Sequence, residues 1–253
     1  MKYQCTEERF LKDVAQHKMT ILRDNGIDRH LRFKRESGSS YWFDIITYSG
    51  RLIIDGDCGT YVFVRIEDMF EFFRTKRNDW NYNKDGLSIN PQYWGEKLRA
   101  VDNCGYGKGN IKEFSKDIFK AKVKEYFDRH FEEEIETEKG LLEEVEGIES
   151  NLAPKDFSTI AKNRTKREEI WESIEEDILR YPDNEYAANK AAYDFSEQGF
   201  EFVDFHEYDC KEYTFGFIWN CYAVSYAIRE YDLQVIAKAN EFFDVEIEVT
   251  DGT

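Results

Sequence analysis

Short runs of apolar residues separated by turn signals predict an antiparallel sheet in the first third of the chain. The runs are rich in β-branched and aromatic residues, and dipeptides such as Asn25-Gly26 and Ser49-Gly50 lie between them. They cover residues 19–23, 30–35, 41–48, 51–55 and 61–64. Because consecutive strands joined by short turns pair with each other, the pattern predicts a meander.

Apolar residues at helical spacing flank this sheet and dominate the rest of the sequence. The predicted helices cover 6–17, 66–73, a segment that begins at Asn90, 111–130, 157–179, 185–196 and 213–231. The helix that begins at Asn90 is expected to turn Trp94, Leu98 and Val101 inward. Residues 200–205 alternate between polar and apolar and predict one further strand.

The last part of the chain, Asp244–Thr250, alternates strictly and predicts an edge strand. Its valines and isoleucine would face inward, and Glu246 and Glu248 would face outward. The fold class expected for the whole chain is α+β. An N-terminal antiparallel sheet with flanking helices would be followed by a C-terminal, mainly helical, acidic region.

Charge divides the sequence in two. The 253 residues contain 35 Lys and Arg against 52 Asp and Glu, a net charge of −17, and residues 131–253 alone carry −21. The change begins at the acidic run Glu132–Glu138. The spacing of the apolar residues and the net charge change at the same point. We therefore predict an α+β domain over 1–130, an acidic linker or helix over 131–154, and a mainly helical acidic domain over 155–253.

This composition excludes several classes of protein. An acidic chain lacks the basic footprint of a protein that grips nucleic-acid phosphates, so no direct nucleic-acid binding is expected. The five cysteines are odd in number and form no C-x-x-C pair, which argues against a disulfide framework or zinc ribbon. The longest uncharged stretch, Tyr213–Ile228, is too short and too polar for a membrane span, and a buried helix is expected there.

No catalytic motif stands out. His206 and Cys210 have a spacing that zinc ligands use, but a second pair is missing, so no metal is expected. Asp204, Asp209 and Lys211 fit the pattern of a metal-dependent nuclease, in which two carboxylates hold Mg²⁺ and the lysine stabilises the attacking water. Such triplets arise by chance in a chain this rich in charge. We therefore predict no catalytic residue and no cofactor, and we keep a metal-dependent nucleic-acid-processing enzyme as the alternative.

Three stretches resemble a family of accessory proteins encoded by tailed phages and prophages. They are residues 41–50 together with 56–74, residues 88–97, and residues 213–223. The resemblance implies a viral protein made in the cytoplasm of a bacterial host, and it carries no catalytic motif to transfer. Some phage accessory proteins, including anti-Gabija and anti-CRISPR proteins, block a host defence nuclease or effector complex by binding to it. The expectation by analogy is such an inhibitor, and a phage regulatory protein with another partner remains open.

The acidic region is the expected contact for such a partner, because defence nucleases expose basic surfaces that bind DNA. Two groups of glutamates are the candidates. They are Glu132, Glu133, Glu134 and Glu136 in the acidic run, and Glu246 and Glu248, which a strand would hold about 7 Å apart along one face. Three aromatic residues of the predicted helix 213–231 would add an anchor or a self-association face, unless they belong to the core. They are Trp219, Tyr222 and Tyr226.

Overall fold

A computed structural model describes residues 5–38, 40–76, 84, 86–102, 109–146, 154–180 and 184–250. The chain forms two compact units. Unit 1 combines Met1–Lys112 with Tyr213–Thr253, and unit 2 is Glu113–Glu212. The C-terminal segment therefore returns to the N-terminal unit, and unit 2 is inserted between the two parts of unit 1.

Unit 1 is built on a six-stranded antiparallel sheet in which the strands follow chain order, β1-β2-β3-β4-β5-β6. The strands are β1 (Lys18–Asn25), β2 (Asp28–Lys34), β3 (Phe43–Tyr48), β4 (Arg51–Gly56), β5 (Tyr61–Val64) and β6 (Leu98–Val101). Ser49 and Gly50 both have positive φ, at 35° and 77°, as a type I′ hairpin turn between β3 and β4 requires. The predicted meander is confirmed.

One face of this sheet supplies eight of the 23 buried residues described in the core of unit 1. Alternate residues of β2 to β5 point to it, and each of them is at most 1% exposed. They are Leu31, Phe33, Phe43, Ile45, Leu52, Ile54, Tyr61 and Phe63. Burying large side chains of this kind stabilises the fold by about 1.5–3 kcal/mol each.

Helices supply most of the rest of the core of unit 1. They are α1 (Glu7–Val14), α2 (Met69–Phe73), α3 (Pro91–Gly95) and α8 (Phe215–Thr250). Phe217, Val224 and Ile228 of α8 are buried in the same cluster as the sheet residues. Gly216 permits the close approach of the first turn of α8, because a Cβ there would lie 2.8 Å from the carbonyl oxygen of Cys58.

Unit 2 is mainly helical and has its own aromatic core. Its helices are α4 (Lys116–His130), α5 (Glu132–Glu146), α6 (Pro154–Ile174), which runs into a π-helical turn (Glu175–Leu179), and α7 (Glu185–Asp194). A small hairpin, β8 (Ser196–Glu197) with β9 (Phe200–Glu201), and a 3₁₀ turn (Phe205–Glu207) follow. The strands β7 (Lys112–Phe114) and β10 (Lys211–Tyr213) pair with each other. Phe119, Phe127, Phe200, Phe202 and Phe205 are all buried.

The predicted α+β class is confirmed, but the predicted extents of one helix in unit 1 and one strand in unit 2 are wrong. The helix that begins at Asn90 ends at Gly95, and Leu98–Val101 forms β6 on the edge of the sheet. The backbone N–H and C=O groups along the edge of β5 need hydrogen-bond partners. Pairing with them stabilises residues 98–101 as a strand, although Leu98 and Val101 have helical spacing. Residues 200–205 form a strand only over Phe200–Glu201.

The edge strand predicted at the end of the chain is also wrong. Asp244–Thr250 is the last part of α8, which is helical without interruption from Phe215. A strand needs a neighbour to complete its backbone hydrogen bonds, whereas a helix that has already formed extends by one internal bond for each residue added. The alternating valines and glutamates therefore continue the helix.

The structural division differs from the predicted boundaries at residues 130 and 155. The acidic run lies in α5 and is helical, and residues 147–153 of the predicted linker lie outside the described residues. Charge follows the observed units closely. Unit 2 carries 14 Lys and Arg against 29 Asp and Glu, net −15, and unit 1 carries 21 against 23, net −2. Within the described residues, no helix combines the length and apolarity needed to cross a membrane.

Candidate partner-binding site

Two tyrosines of α7 are the most exposed large aromatic side chains in the described residues. Tyr186 is 77% exposed and Tyr193 is 83% exposed. They lie seven residues apart, two helical turns, and so share one face of the helix. The opposite face buries Ala188 and Ala192 against the core of unit 2. Because small residues face inward, α7 packs closely and leaves its tyrosines outside.

An open groove of about 810 Å³ runs between α7 and the segment that follows it. Phe195, Phe202 and Phe205 line it and are nearly buried, and Phe202 packs edge-to-face on Phe205 with ring centroids 5.2 Å apart. Val203 stands at its rim, 63% exposed, although its backbone N–H donates to the Tyr126 hydroxyl at 2.9 Å. The lining of the groove is therefore largely aromatic, and ring packing and a hydrogen bond hold it in place.

The rim of the groove is mainly acidic. Asp194, Glu201 and Asp204 border it, and the cation Lys190 forms an ion pair with Asp194 at 2.5 Å. Asp204 holds a left-handed backbone conformation, φ 54° and ψ 27°, in the turn before the 3₁₀ segment. Exposed aromatic rings beside carboxylates fit a basic partner, because tyrosine faces attract lysine and arginine and carboxylates pair with them.

The four glutamates predicted in the acidic run lie on α5 and have different roles. Glu132, Glu133 and Glu136 are exposed. Glu134 is half-buried and receives a hydrogen bond from Arg167 of α6 at 3.4 Å, and the same arginine also bonds Glu138. Glu134 therefore helps to hold α5 to α6, and the other three remain available to a partner.

The three aromatic residues predicted as an anchor belong instead to the core of unit 1. Trp219 is 0% exposed, and its ring contacts Phe10 at 5.0 Å and Phe43 at 5.6 Å between centroids. Tyr222 and Tyr226 are half-buried and both pack on Phe10. They fix α1 on α8, and Trp219 cannot reach a partner. A helix that is apolar on every side is usually buried, and burial in the core was the alternative given for these three residues.

Glu246 and Glu248 do not form the acidic edge that was predicted for them. Both lie in α8, where residues two positions apart are separated by about 200° around the helix axis. The shared strand face, and with it the expected spacing of about 7 Å between the two glutamates, does not exist.

Two of the three residues of the nuclease alternative are engaged in other contacts. The Asp209 carboxylate accepts a hydrogen bond from the backbone of Lys211, and the Lys211 ammonium pairs with Glu185 at 3.0 Å. Among the described residues, no three His, Cys, Asp or Glu side chains are placed to hold a metal ion.

The three cysteine thiols that the structure describes in unit 1 are poor nucleophiles. Burial, assisted by the charge of Asp13, raises the pKa of Cys5 to about 12. Burial also raises the pKa of Cys58 and of Cys221 well above the ordinary value. Protonated thiols neither attack substrates nor bind metals readily.

A buried carboxylate on the sheet is a feature that sequence reasoning missed. Asp44 is 5% exposed and accepts hydrogen bonds from both Arg32 nitrogens at 2.7 and 2.9 Å, and His30 Nε2 lies 2.8 Å away. Burial opposes ionisation of Asp44, but the bonds from Arg32 and His30 outweigh it and lower the pKa. Alternation in β2 and β3 places these three residues on one face, which was a readable signal.

The tyrosine groove was missed as well. Tyr186 and Tyr193 were included in the predicted helix 185–196 without a role. Their spacing against Ala188 and Ala192 was the available signal, because two large aromatics opposite two alanines indicate an exposed aromatic face.

Comparison with models of protein families, with curated proteins and with solved structures finds no match to this chain. The resemblance to phage accessory proteins therefore stays a prediction.

Proposed function

We propose that this protein is a non-enzymatic inhibitor that docks unit 2 onto a basic surface of a bacterial defence complex, such as a Gabija-type nuclease or a CRISPR effector. The observation that carries the proposal is the concentration of charge. Unit 2 holds −15 of the total −17 and also presents the tyrosine groove. The resemblance to phage accessory proteins supports the class of partner and an action in the cytoplasm of the host.

Binding would proceed in two physical stages. The acidic surface raises the rate of encounter with a basic partner, since long-range attraction steers association at low ionic strength. Tyr186 and Tyr193 then supply the short-range contact, because interface energy concentrates in a few aromatic residues. A lysine or arginine of the partner would lie over the tyrosine rings and pair with Asp194, Glu201 or Asp204. Occupying a surface meant for DNA would block cleavage.

The test uses purified defence nuclease complexes immobilised on a sensor, with the full-length protein in solution. Tyr193→Ala should weaken binding by about 30-fold, corresponding to about 2 kcal/mol. Tyr48→Ala is the matched control, because Tyr48 is an exposed tyrosine of unit 1 at 41% and should leave binding unchanged. The association rate should fall as salt rises from about 50 to about 150 mM, where screening shortens the range of attraction.

Two results would reject the proposal. One is absence of binding to every complex of both classes. The other is metal-dependent cleavage of DNA or RNA by the protein alone that is lost in Asp209→Ala, which would establish the enzyme alternative. Binding that Tyr193→Ala and Tyr48→Ala weaken equally would remove the groove from the interface.

A further inference from the structure

A lysine of α7 lies between the two exposed tyrosines of the groove. Lys190 follows Tyr186 by four residues and precedes Tyr193 by three, so the three side chains share one face of the helix. The Lys190 ammonium forms the ion pair with Asp194 at 2.5 Å. Hydrogen bonding to Asp194 raises the pKa of Lys190, and the hydroxyls of both tyrosines add to the shift. A full positive charge therefore lies where the carboxylate and the aromatic rings meet.

The ion pair between Lys190 and Asp194 does little for the stability of α7. Both side chains are more than half exposed, at 57% and 53%, and exposed pairs of this kind contribute little to folding. The lysine precedes the acid, which is the weaker order on a helix. Asp194 is also the last residue of α7, where the helix dipole disfavours a negative charge. Helix stability therefore does not explain this carboxylate, and the pair can open at small cost.

The groove holds more negative charge than its lysine neutralises. Glu201 and Asp204 border it in addition to Asp194, and both are exposed. Glu201 accepts a hydrogen bond from Ser196 Oγ at 2.9 Å, which holds its carboxylate at the rim. Aromatic walls with carboxylates above them fit a long side chain that has an apolar stem and a cationic head.

We propose that the groove binds an arginine side chain of the partner, and that Lys190 occupies the place of this arginine in the free protein. The inference rests on the proposed function, because it names the occupant of the same groove. The incoming guanidinium displaces the ammonium from Asp194, donates two parallel hydrogen bonds to that carboxylate and stacks on the tyrosine rings. Lys190 then turns into solvent.

The displaced group explains why the occupant is arginine and not lysine. A partner lysine would exchange one ammonium for another at Asp194, so the kind and number of bonds would be unchanged. Lys190 has the advantage in this exchange, because its attachment to the same helix gives it a high effective concentration near Asp194. Only a group that binds the carboxylate and the ring faces better than an ammonium does can replace it. Lys190 therefore determines specificity.

Titration of the isotope-labelled full-length protein with two peptides tests this proposal by nuclear magnetic resonance. The peptides are blocked hexapeptides in which glycine alternates with arginine in one and with lysine in the other. Backbone amide shifts report which residues each peptide contacts. The arginine peptide should shift the amides of α7 and of residues 201–206. The lysine peptide should bind the wild-type protein at least about fivefold more weakly.

Lys190→Met removes the internal occupant. The substitution should tighten binding of the arginine peptide at least about threefold and that of the lysine peptide by more, which narrows the difference between them. Lys124→Met is the matched control, because Lys124 pairs with Asp128 in the same i,i+4 arrangement on α4 and is 50% exposed. It removes the same charge from unit 2 and should change either dissociation constant less than about 1.5-fold at physiological salt.

Asp194→Asn removes the carboxylate for which the two cations compete. The arginine peptide should bind this variant at least about fivefold more weakly than the wild-type protein. Adding Lys190→Met to Asp194→Asn should change the affinity less than about 1.5-fold, because the two residues act through one contact. The substituted side chains are exposed, and unchanged helix content by circular dichroism shows that each variant folds.

Four outcomes would overturn the proposal. They are absence of shifts in the groove with the arginine peptide, equal affinities of the two peptides for the wild-type protein, equal effects of Lys190→Met and Lys124→Met, and a gain from Lys190→Met that persists in Asp194→Asn. Failure here is distinct from failure of the proposed function. Absence of binding to every defence complex would reject the proposed function, whereas binding to a complex without any preference for arginine would reject this inference alone.

Discussion

The two units differ in where their ion pairs lie. In unit 1, the pairs with the most buried partners join segments far apart in the chain, such as Arg29 with Asp68 and Arg32 with Asp44, beside local pairs such as Arg74 with Glu71. In unit 2, several exposed pairs lie along single helices, as in Lys139 with Glu136. The pairs of unit 2 that join different elements are Arg164 with Glu138, Arg167 with Glu134 and with Glu138, and Lys211 with Glu185. Charges that bridge distant elements specify a fold. Charges that stay on one helix surface contribute little to stability and remain available to a partner.

The contacts of Arg29 show how a charged side chain stabilises the fold of unit 1. Its guanidinium lies on the core side of the sheet, 4.6 Å from the centre of the Phe70 ring, and forms a bidentate pair with Asp68 at 2.9 and 3.0 Å. Asp68 also caps α2 by accepting from the backbone N–H of Phe70. One carboxylate therefore neutralises a buried cation and starts a helix.

The largest expected effect that tests this comparison is the removal of Asp68. Asp68→Ala should lower the free energy of unfolding by about 3–5 kcal/mol, because it leaves Arg29 buried and unpaired. Urea denaturation followed by circular dichroism measures the change. Asp68→Asn keeps the cap and loses the charge, so it separates the two contributions, of which the cap is worth about 1 kcal/mol. A loss below about 1 kcal/mol in Asp68→Ala would contradict the structural role of charge in unit 1.

An intermediate effect is expected at Asp44, where hydrogen bonds from Arg32 and His30 lower the pKa against the effect of burial. A carboxyl with a lowered pKa in the folded state contributes stability above its unfolded pKa of about 3.9, and this contribution is lost as pH falls through the folded pKa. Asp44→Asn should cost about 2 kcal/mol at neutral pH. It should also make stability less dependent on pH below about 4. An equally steep acid dependence in the variant would contradict this account.

The smallest effect is expected in unit 2. Glu136 pairs with Lys139 three residues along the same helix, and both side chains are more than half exposed. Glu136→Gln should change the free energy of unfolding by less than about 0.5 kcal/mol. A loss comparable to that of Asp44→Asn would remove the contrast between the units. A small loss of stability with slower association to a basic partner would sharpen it.

Much of the fold could be predicted because its signals are local. Short runs of β-branched and aromatic residues between turn signals identified five of the six strands of the sheet, and helical spacing identified most helices, since both signals depend on residues close together in the chain. The candidate site was harder. Tyr186 and Tyr193 were found on a predicted helix, but their role depends on the turn that places Val203 and Asp204 opposite them. The same limit applies to Trp219, because the sequence alone does not distinguish a tryptophan buried in the core from one exposed at an interface.

By itself, the sequence determined the α+β class, the antiparallel meander and the acidic character of the chain, because each depends on residue type and short spacing. Only the tertiary structure decided which segments meet. It returned residues 213–253 to unit 1, added Leu98–Val101 as a sixth strand, and extended α8 through the alternating tail. These outcomes depend on which exposed backbone edges and apolar faces are available elsewhere in the chain. Local periodicity does not determine these outcomes, because the free energy that stabilises them is gained only when segments distant in the chain pack together.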